Sequence, residues 1–273
     1  MTIEIHNLTV HRGLNLALQV DALEIPAGIT TFVGSNGSGK STLLHAIAGL
    51  LPDHGAIRID GRSPLQARAS IAYVLQQQHV AAHLPVTARE VVSLGRTPSV
   101  GPFRRLRRAD REAVADALSR VDLDDLADRH LTEMSGGQRQ RVHIAQGLAQ
   151  GADYLLLDEP AAGLDIASIA GIRRTIDIER DAGRTVIVAT HDLAEASESD
   201  FVVLLAGRVV ASGRPTEVLT PENLRVAYAG RVLDLGDRVV ALDDSLHPEH
   251  TDLTDIDPHH VEYRHTEADH HEH

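Results

Sequence analysis

Lys40 is the only lysine in a chain whose other 25 basic residues are all arginine, so its position answers to something narrower than a general demand for charge. It stands in Gly34-Ser35-Asn36-Gly37-Ser38-Gly39-Lys40-Ser41-Thr42, which fits G-x-x-x-x-G-K-[ST], after an apolar run at 30–33 and before a predicted helix over 42–51. Glycines in such a loop let successive backbone N–H groups turn inward as an anion cradle, and the following helix adds its unsatisfied N–H groups and positive dipole end. The chemistry on offer is nucleoside triphosphate binding: Lys40 reaches the β- and γ-phosphates, and Ser41 sets a hydroxyl on Mg2+. A glycine-rich turn without a ligand would have no use for the lysine.

A second element follows at Tyr154-Leu155-Leu156-Leu157, an apolar run typical of a buried parallel strand, which ends in Asp158-Glu159-Pro160. Two carboxylates at the carboxyl end of a strand are costly unless used. Beside a phosphate loop their natural roles are Asp158 holding Mg2+, directly or through water, and Glu159 polarising the attacking water as general base. On its own the pair is a weak signal, since strands often end in Asp before a turn. Between the two elements lies Met134-Ser135-Gly136-Gly137-Gln138-Arg139-Gln140-Arg141, where Ser135 and Gln138 make a capping box and predict a helix start. Gly136 and Gly137 leave that helix end bare, which suits a phosphate. The chain's own loop already cradles one nucleotide, so a second copy of the protein could present the phosphate that this end receives.

The order GSNGSGKST, MSGGQRQR, LLLDEP and Ala189-Thr190-His191-Asp192 resembles the ATP-binding cassette (ABC) ATPase family over about residues 1–225. The resemblance implies an α/β fold: a RecA-like P-loop NTPase core with an antiparallel β subdomain and a helical subdomain. It also implies two cassettes paired head to tail, with each ATP held between the phosphate loop of one and the SGGQ helix of the other. Ser135, Gly136, Gly137 and Gln138 would then face the γ-phosphate bound to the partner, and His191 would be the switch histidine on that phosphate. Gln76, in Tyr73-Val74-Leu75-Gln76, matches the Q-loop glutamine that meets Mg2+ and water and moves with the transport partner. Asp165, in Ala162-Gly163-Leu164-Asp165, matches the aspartate at the dimer seam. Taken singly, His191 reads equally as a strand cap and Gln76 as a turn residue. Order and spacing together carry the resemblance.

Two positions depart from the family pattern. Where the family has an aromatic residue stacking on adenine, this chain has Val10-His11-Arg12-Gly13, so His11 is the stacking candidate. Leu75 stands where the family commonly has Pro.

The elements that must position these residues are legible in outline. Alternation at Ile3, Ile5, Leu8 and Val10, then at Leu16, Leu18 and Val20, predicts antiparallel strands, with a further strand at 56–60. Parallel core strands are expected at 71–75, 154–157 and 185–189, and a hairpin at 202–210 turns at Ala206-Gly207. Residues 87–130 read as helical, with Val114, Leu118 and Val121 on one face, and a helical subdomain of about 87–150 is expected inside an ATPase domain spanning 1–230. Thr220-Pro221 starts a further helix, a hairpin is expected over 231–242 around Gly236, and residues 243–273 form a tail expected to be disordered.

Composition sets the remaining bounds. With no cysteine, disulfides and thiolate metal sites are excluded. The tail holds −9 of the formal −13, leaving about −4 on the first 242 residues, a balance that argues against broad binding to nucleic acid or anionic lipid. The arginines at 104, 105, 107 and 108 are followed at once by Asp110 and Glu112 and read as a solvated or partner-facing surface. No apolar run is long enough to span a bilayer and the amino terminus lacks signal-peptide character, so a soluble protein peripheral to the cytoplasmic face of the membrane is expected. His247, His250, His259, His260, His265, His270, His271 and His273 are interspersed with acids, a zinc-compatible ligand set for weak, multi-site binding. The segment Leu94-Gly95-Arg96-Thr97-Pro98, with Ala189 through Ala196, resembles importer cassettes for metals and metal chelates, most closely the zinc type.

The expected activity is therefore ATP hydrolysis energising an importer, with ATP and Mg2+ as cofactors. Its expected partners are a second ATPase subunit, membrane-spanning permease subunits and, indirectly, an extracytoplasmic solute-binding protein. The alternatives are import of ferric siderophore or cobalamin, or a soluble ABC ATPase acting on ribosomes or DNA. That last is disfavoured by a single cassette with 94 residues between Lys40 and Ser135.

Overall fold

The computed structural model describes residues 1–75, 85–101 and 105–228, and the backbone of 232–234 and 239–241, all within one compact unit of residues 1–243. Gln76, Arg104 and the tail histidines lie outside the described residues.

The chain opens with β1 (Ile3–Arg12) and β2 (Asn15–Ile25), an antiparallel pair whose period-2 burial turns Ile3, Ile5, Leu8, Leu18 and Val20 inward. Then come β3 (Ile29–Val33), α1 (Lys40–Ile47), β4 (Ile57–Ile59), α2 (Pro64–Ala67) and β5 (Ile71–Val74). Strand β4 joins the other side of β1, giving a three-stranded antiparallel sheet of order β2-β1-β4. Helix α1 begins two residues earlier than the sequence reading placed it, because Gly39 (φ 104°) ends the loop in a left-handed conformation and Lys40 is already helical.

Four helices follow: α3 (Ala88–Leu94), α4 (Thr97–Val100), α5 (Arg108–Arg120) and α6 (Gly136–Gln150). The capping box of α3 is closed by Thr87 and Glu90, and that of α6 by Ser135 and Gln138. Val114, Leu118 and Val121 are buried, packed with Val92, Val142 and Ile144 in one cluster. Arg96 fastens this group of helices: its guanidinium donates to Asp110 Oδ1 at 3.0 Å and to the Ala149 carbonyl at 2.8 Å, joining the start of α5 to the end of α6.

The rest of the chain alternates strand and helix: β6 (Tyr154–Asp158), α7 (Ile166–Asp181), β7 (Thr185–Thr190), α8 (Leu193–Ser197), β8 (Phe201–Leu205) and β9 (Val209–Gly213), then α9 (Pro215–Val218) and α10 (Pro221–Ala227). Two short strands, β10 (Val232–Asp234) and β11 (Val239–Ala241), pair antiparallel. The main sheet has the order β5-β6-β7-β3-β8-β9, parallel except for β9. It is covered on both faces, which is why its strands read as unbroken apolar runs. Phe32, Leu156, Ile187 and Ala189 face α1 and the antiparallel sheet, whereas Leu155, Leu157, Val186 and Val188 face the helices.

A buried carboxylate joins the helical lobe to the core. Glu179 of α7, with no exposed side-chain surface, accepts from Arg120 at the end of α5 at 3.0 Å and also pairs with Arg184. A charge this deep is tolerated because both guanidiniums answer it.

Candidate functional site

In a parallel sheet the loops that follow the strands gather at one end, and β3, β6 and β7 are adjacent. The phosphate loop leaves β3 after Val33, the carboxylates end β6, and His191 follows β7. The register makes the convergence explicit: Val33 pairs with Thr190, and Asp158 with Ala189.

Lys40 is nearly buried at 6% exposure. Its ammonium donates to the Gly34 carbonyl at 2.7 Å and the Ser35 carbonyl at 3.2 Å, and lies 3.9 Å from Glu159 Oε1. The α1 N-terminus has no side-chain cap, so its N–H groups point into the loop. The buried hydroxyl of Ser38 has no hydrogen-bond partner among the described residues. An ammonium, an uncapped helix end and an orphaned hydroxyl fit a polyphosphate. Gly39 must be glycine here: besides its left-handed φ, a Cβ would stand 2.9 Å from Leu18 Cδ1. The same contact sets the β1–β2 hairpin beside the start of α1. His11 lies on that hairpin, exposed and paired with Leu16 at a register shift in β1.

Ser41 donates to Asp158 Oδ1 at 3.1 Å. A hydroxyl and a carboxylate side by side are the hard oxygen donors that Mg2+ takes, so the residues present fit that ion. Asp158 has a second partner that the motifs did not indicate: Tyr73 of β5 donates its hydroxyl to Oδ2 at 3.2 Å. Burial, together with the nearby carboxylate, pushes the Tyr73 phenol above its ordinary range, so it stays a donor. Its ring also meets His45 of α1 edge to face, centroids 5.5 Å apart.

Glu159 sits between the Lys40 ammonium and the His191 imidazole. Its Oε1 lies near Lys40, and Oε2 is 3.6 Å from His191 Nδ1. Its backbone adopts φ 46°, uncommon for a residue with a side chain, and its N–H donates to the Ala189 carbonyl at 2.9 Å. A non-glycine residue in this left-handed conformation just past the end of β6 carries backbone strain. His191 is 47% exposed and borders, with Glu159, a cleft of about 320 Å³ closed by residues 161–164 and by side chains of α7 and α8.

Ser135 and Gln138 close their capping box with bonds of 3.2 and 2.9 Å. Gly137 is required by packing rather than by an anion alone, because a Cβ there would come within 2.1 Å of Ser168 Oγ. Ser168 is also held by Asp165, the N-cap of α7, through bonds of 2.8 and 3.1 Å. These bonds hold the Asp165 carboxyl below the usual carboxylate range. Lys40, Ser41, Asp158, Glu159 and His191 therefore converge on one point, while Gly137 and Asp165 meet at Ser168. Among the described residues no helix is long and apolar enough to cross a membrane, and no group of three or more His, Asp or Glu is arranged to hold a metal ion.

The sequence profile of the ABC transporter family matches residues 18–162. The chain is 38% identical to the manganese transport system ATP-binding protein MntB of Bacillus subtilis, over 88% of this chain and 97% of that protein. It is 37% identical to the zinc transport system ATP-binding protein TroB of Treponema pallidum, over 84% and 88%. Among solved structures it resembles a metal-chelate type ABC transporter in an inward-facing conformation, with TM-score 0.74 and 25% identity over 88% of this chain and 95% of that one. With a phosphate loop, a paired-carboxylate strand end and a histidine turn meeting at the end of such a sheet, the chain belongs to the ABC transporter family and is one of its ATPases.

Proposed function

We propose that this chain is the ATP-hydrolysing subunit of an importer for a transition-metal ion, with zinc the favoured cargo and manganese the alternative. The catalytic part rests on one observation: Glu159 stands between Lys40 and His191, beside the Ser41–Asp158 pair. In this reading residues 34–42 hold the phosphates, with Lys40 on the β- and γ-phosphates. Ser41, Asp158 and Gln76 hold the magnesium ion, which when bound neutralises charge on the bridging oxygens. Glu159 takes a proton from the attacking water, and His191 contacts the γ-phosphate. His11 stacks on the adenine.

Two copies pair head to tail, so that Ser135, Gly136, Gly137 and Gln138 of one face the nucleotide of the other, with Asp165 at the seam. The helices between 87 and 150 and the segment holding Gln76 pass the motion to permease subunits at the cytoplasmic face of the membrane, and a solute-binding protein delivers the cargo outside. Metal import is supported by the relatives named for manganese and zinc, whose lengths this chain spans almost entirely. Zinc is further supported by the imidazole and carboxylate groups of residues 243–273, proposed to bind it weakly at several sites.

Cells carrying only Glu159→Gln, grown with zinc, manganese or iron scarce in turn, test the cargo by total metal content. That variant is expected to retain ATP and trap the dimer. A fall in zinc alone supports the zinc reading, and a fall in manganese alone moves the cargo to the alternative. The solved metal-chelate type relative favours a second reading, a chelated metal such as ferric siderophore, which a fall in iron alone would select. Wild-type turnover by Glu159→Gln would remove Glu159 from the role of base.

A further inference from the structure

We propose that Tyr73 is a positioning residue that tunes the metal preference of the nucleotide site: its hydroxyl occupies one oxygen of the Asp158 carboxylate and so favours Mg2+ over the larger Ca2+. The inference rests on Ser41 and Asp158 holding the ion, as read above.

Tyr73 lies on β5 opposite Leu156 of β6, and Leu156 and Asp158, two residues apart on one strand, project to the same face of the sheet. Tyr73 shares that face: its ring packs against the cluster that holds Leu156, Leu44 and Ile47, and meets the His45 ring of α1 at 81°. The ring is thereby held between β6 and the helix that carries Ser41, and its hydroxyl reaches the diagonal neighbour Asp158.

Each oxygen of the carboxylate thus has its own hydroxyl. Ser41 donates to Oδ1 at 3.1 Å and Tyr73 to Oδ2 at 3.2 Å. A carboxylate only accepts, so the phenol is the donor. An ion that takes Oδ1 and the Ser41 hydroxyl leaves the Tyr73 bond intact, whereas one that takes both carboxylate oxygens has to compete with that bond for Oδ2. Mg2+ is the first kind of ion: small, octahedral, and served by one oxygen of a carboxylate beside phosphate and water. Ca2+ is the second kind, with longer bonds, about six to eight oxygen ligands and ready use of both oxygens of a carboxylate. The Tyr73 bond therefore opposes the binding mode open to Ca2+ and spares the one that Mg2+ uses.

Displacement of Mn2+ from the 273-residue chain loaded with ADP, followed by electron paramagnetic resonance, tests the inference without turnover. The readings are the Mg2+ and the Ca2+ concentrations that release half of the Mn2+. In Tyr73→Phe, which keeps the ring, the Mg2+ value is expected to rise about fivefold and the Ca2+ value to stay or fall, so the preference for Mg2+ drops about fivefold or more. A preference within about twofold of wild type would overturn the proposal. That includes the case in which both values rise together, the mark of a merely structural role. If Tyr73→Phe fails to fold, 3-fluorotyrosine placed at position 73 of the otherwise unchanged chain decides alone: its fluorine resonance is expected to respond differently to Mg2+ and to Ca2+, and identical responses would overturn the proposal. Asp158→Asn separates the two levels. Wild-type Mn2+ binding there removes the carboxylate from the metal site, whereas loss of Mn2+ there beside a wild-type preference in Tyr73→Phe removes only the role of Tyr73.

Discussion

Helix α1 begins after a left-handed glycine with no side-chain cap, whereas α6 begins at Ser135 with both halves of its capping box closed. Both starts are glycine-rich and both belong to the nucleotide chemistry proposed here, yet their donors are in different states. At α1 no side chain caps the helix end, and the Lys40 ammonium rests on the Gly34 and Ser35 carbonyls of the loop. At α6 the N–H groups of Ser135 and Gln138 are already spent within the chain, and an arriving phosphate must displace bonds of about 1 kcal/mol each or use only the two glycine N–H groups. The α1 end is thus suited to set affinity. The α6 end is suited to register a surface that brings further contacts with it.

Variants at the two ends should separate accordingly. The largest effect is expected from Lys40→Ala, which removes a buried ammonium from the α1 end: ATP affinity by calorimetric titration should fall at least about a hundredfold and hydrolysis should vanish. Retained affinity would break the comparison at its stronger end. Ser135→Ala opens the box at α6 and should lower kcat about tenfold while leaving ATP affinity within about twofold. The lost cap should also cost about 1 kcal/mol, a few degrees in the melting temperature. If its ATP affinity fell as far as in Lys40→Ala, the two ends would be one site and not two.

Tyr73→Phe sharpens the α1 side. Removing one hydrogen bond of about 1 kcal/mol from Asp158 should raise the Mg2+ concentration for half-maximal hydrolysis about fivefold and leave nucleotide binding in EDTA unchanged. Equal loss with and without Mg2+ would place Tyr73 in folding instead. The smallest effect is expected from deleting residues 243–273, which should leave kcat within about 1.5-fold at either end and reduce bound zinc. Unchanged zinc stoichiometry after that deletion would sink the proposal for the tail.

What could be read beforehand follows from these local rules. The residues at the ends of β3, β6 and β7 were legible because strands buried on both faces are unbroken apolar runs, and each run stops at the residue that does chemistry. Tyr73 is an ordinary residue inside its strand, and only the register of β5 against β6 gives it a task. Helix α7 was passed over because Ile166, Ile169 and Ile178 are exposed and blur its period. The stretch from 87 to 130 read as helical but not as three helices, whose break lies where Gly95, Pro98 and Gly101 interrupt it. Gly137 read as bare backbone for an anion, and its close approach to Ser168 depends on a helix thirty residues away.

The carboxylate of Glu179 bears on how the molecule comes apart. Its side chain is wholly buried, and its two guanidinium partners come from Arg120, which ends a helix of the lobe, and Arg184, which precedes a strand of the core. Melting the lobe alone would take Arg120 from Glu179 and leave it Arg184, which weakens a buried ion pair. Local unfolding of the lobe is therefore felt in the core through the buried carboxylate that the two share.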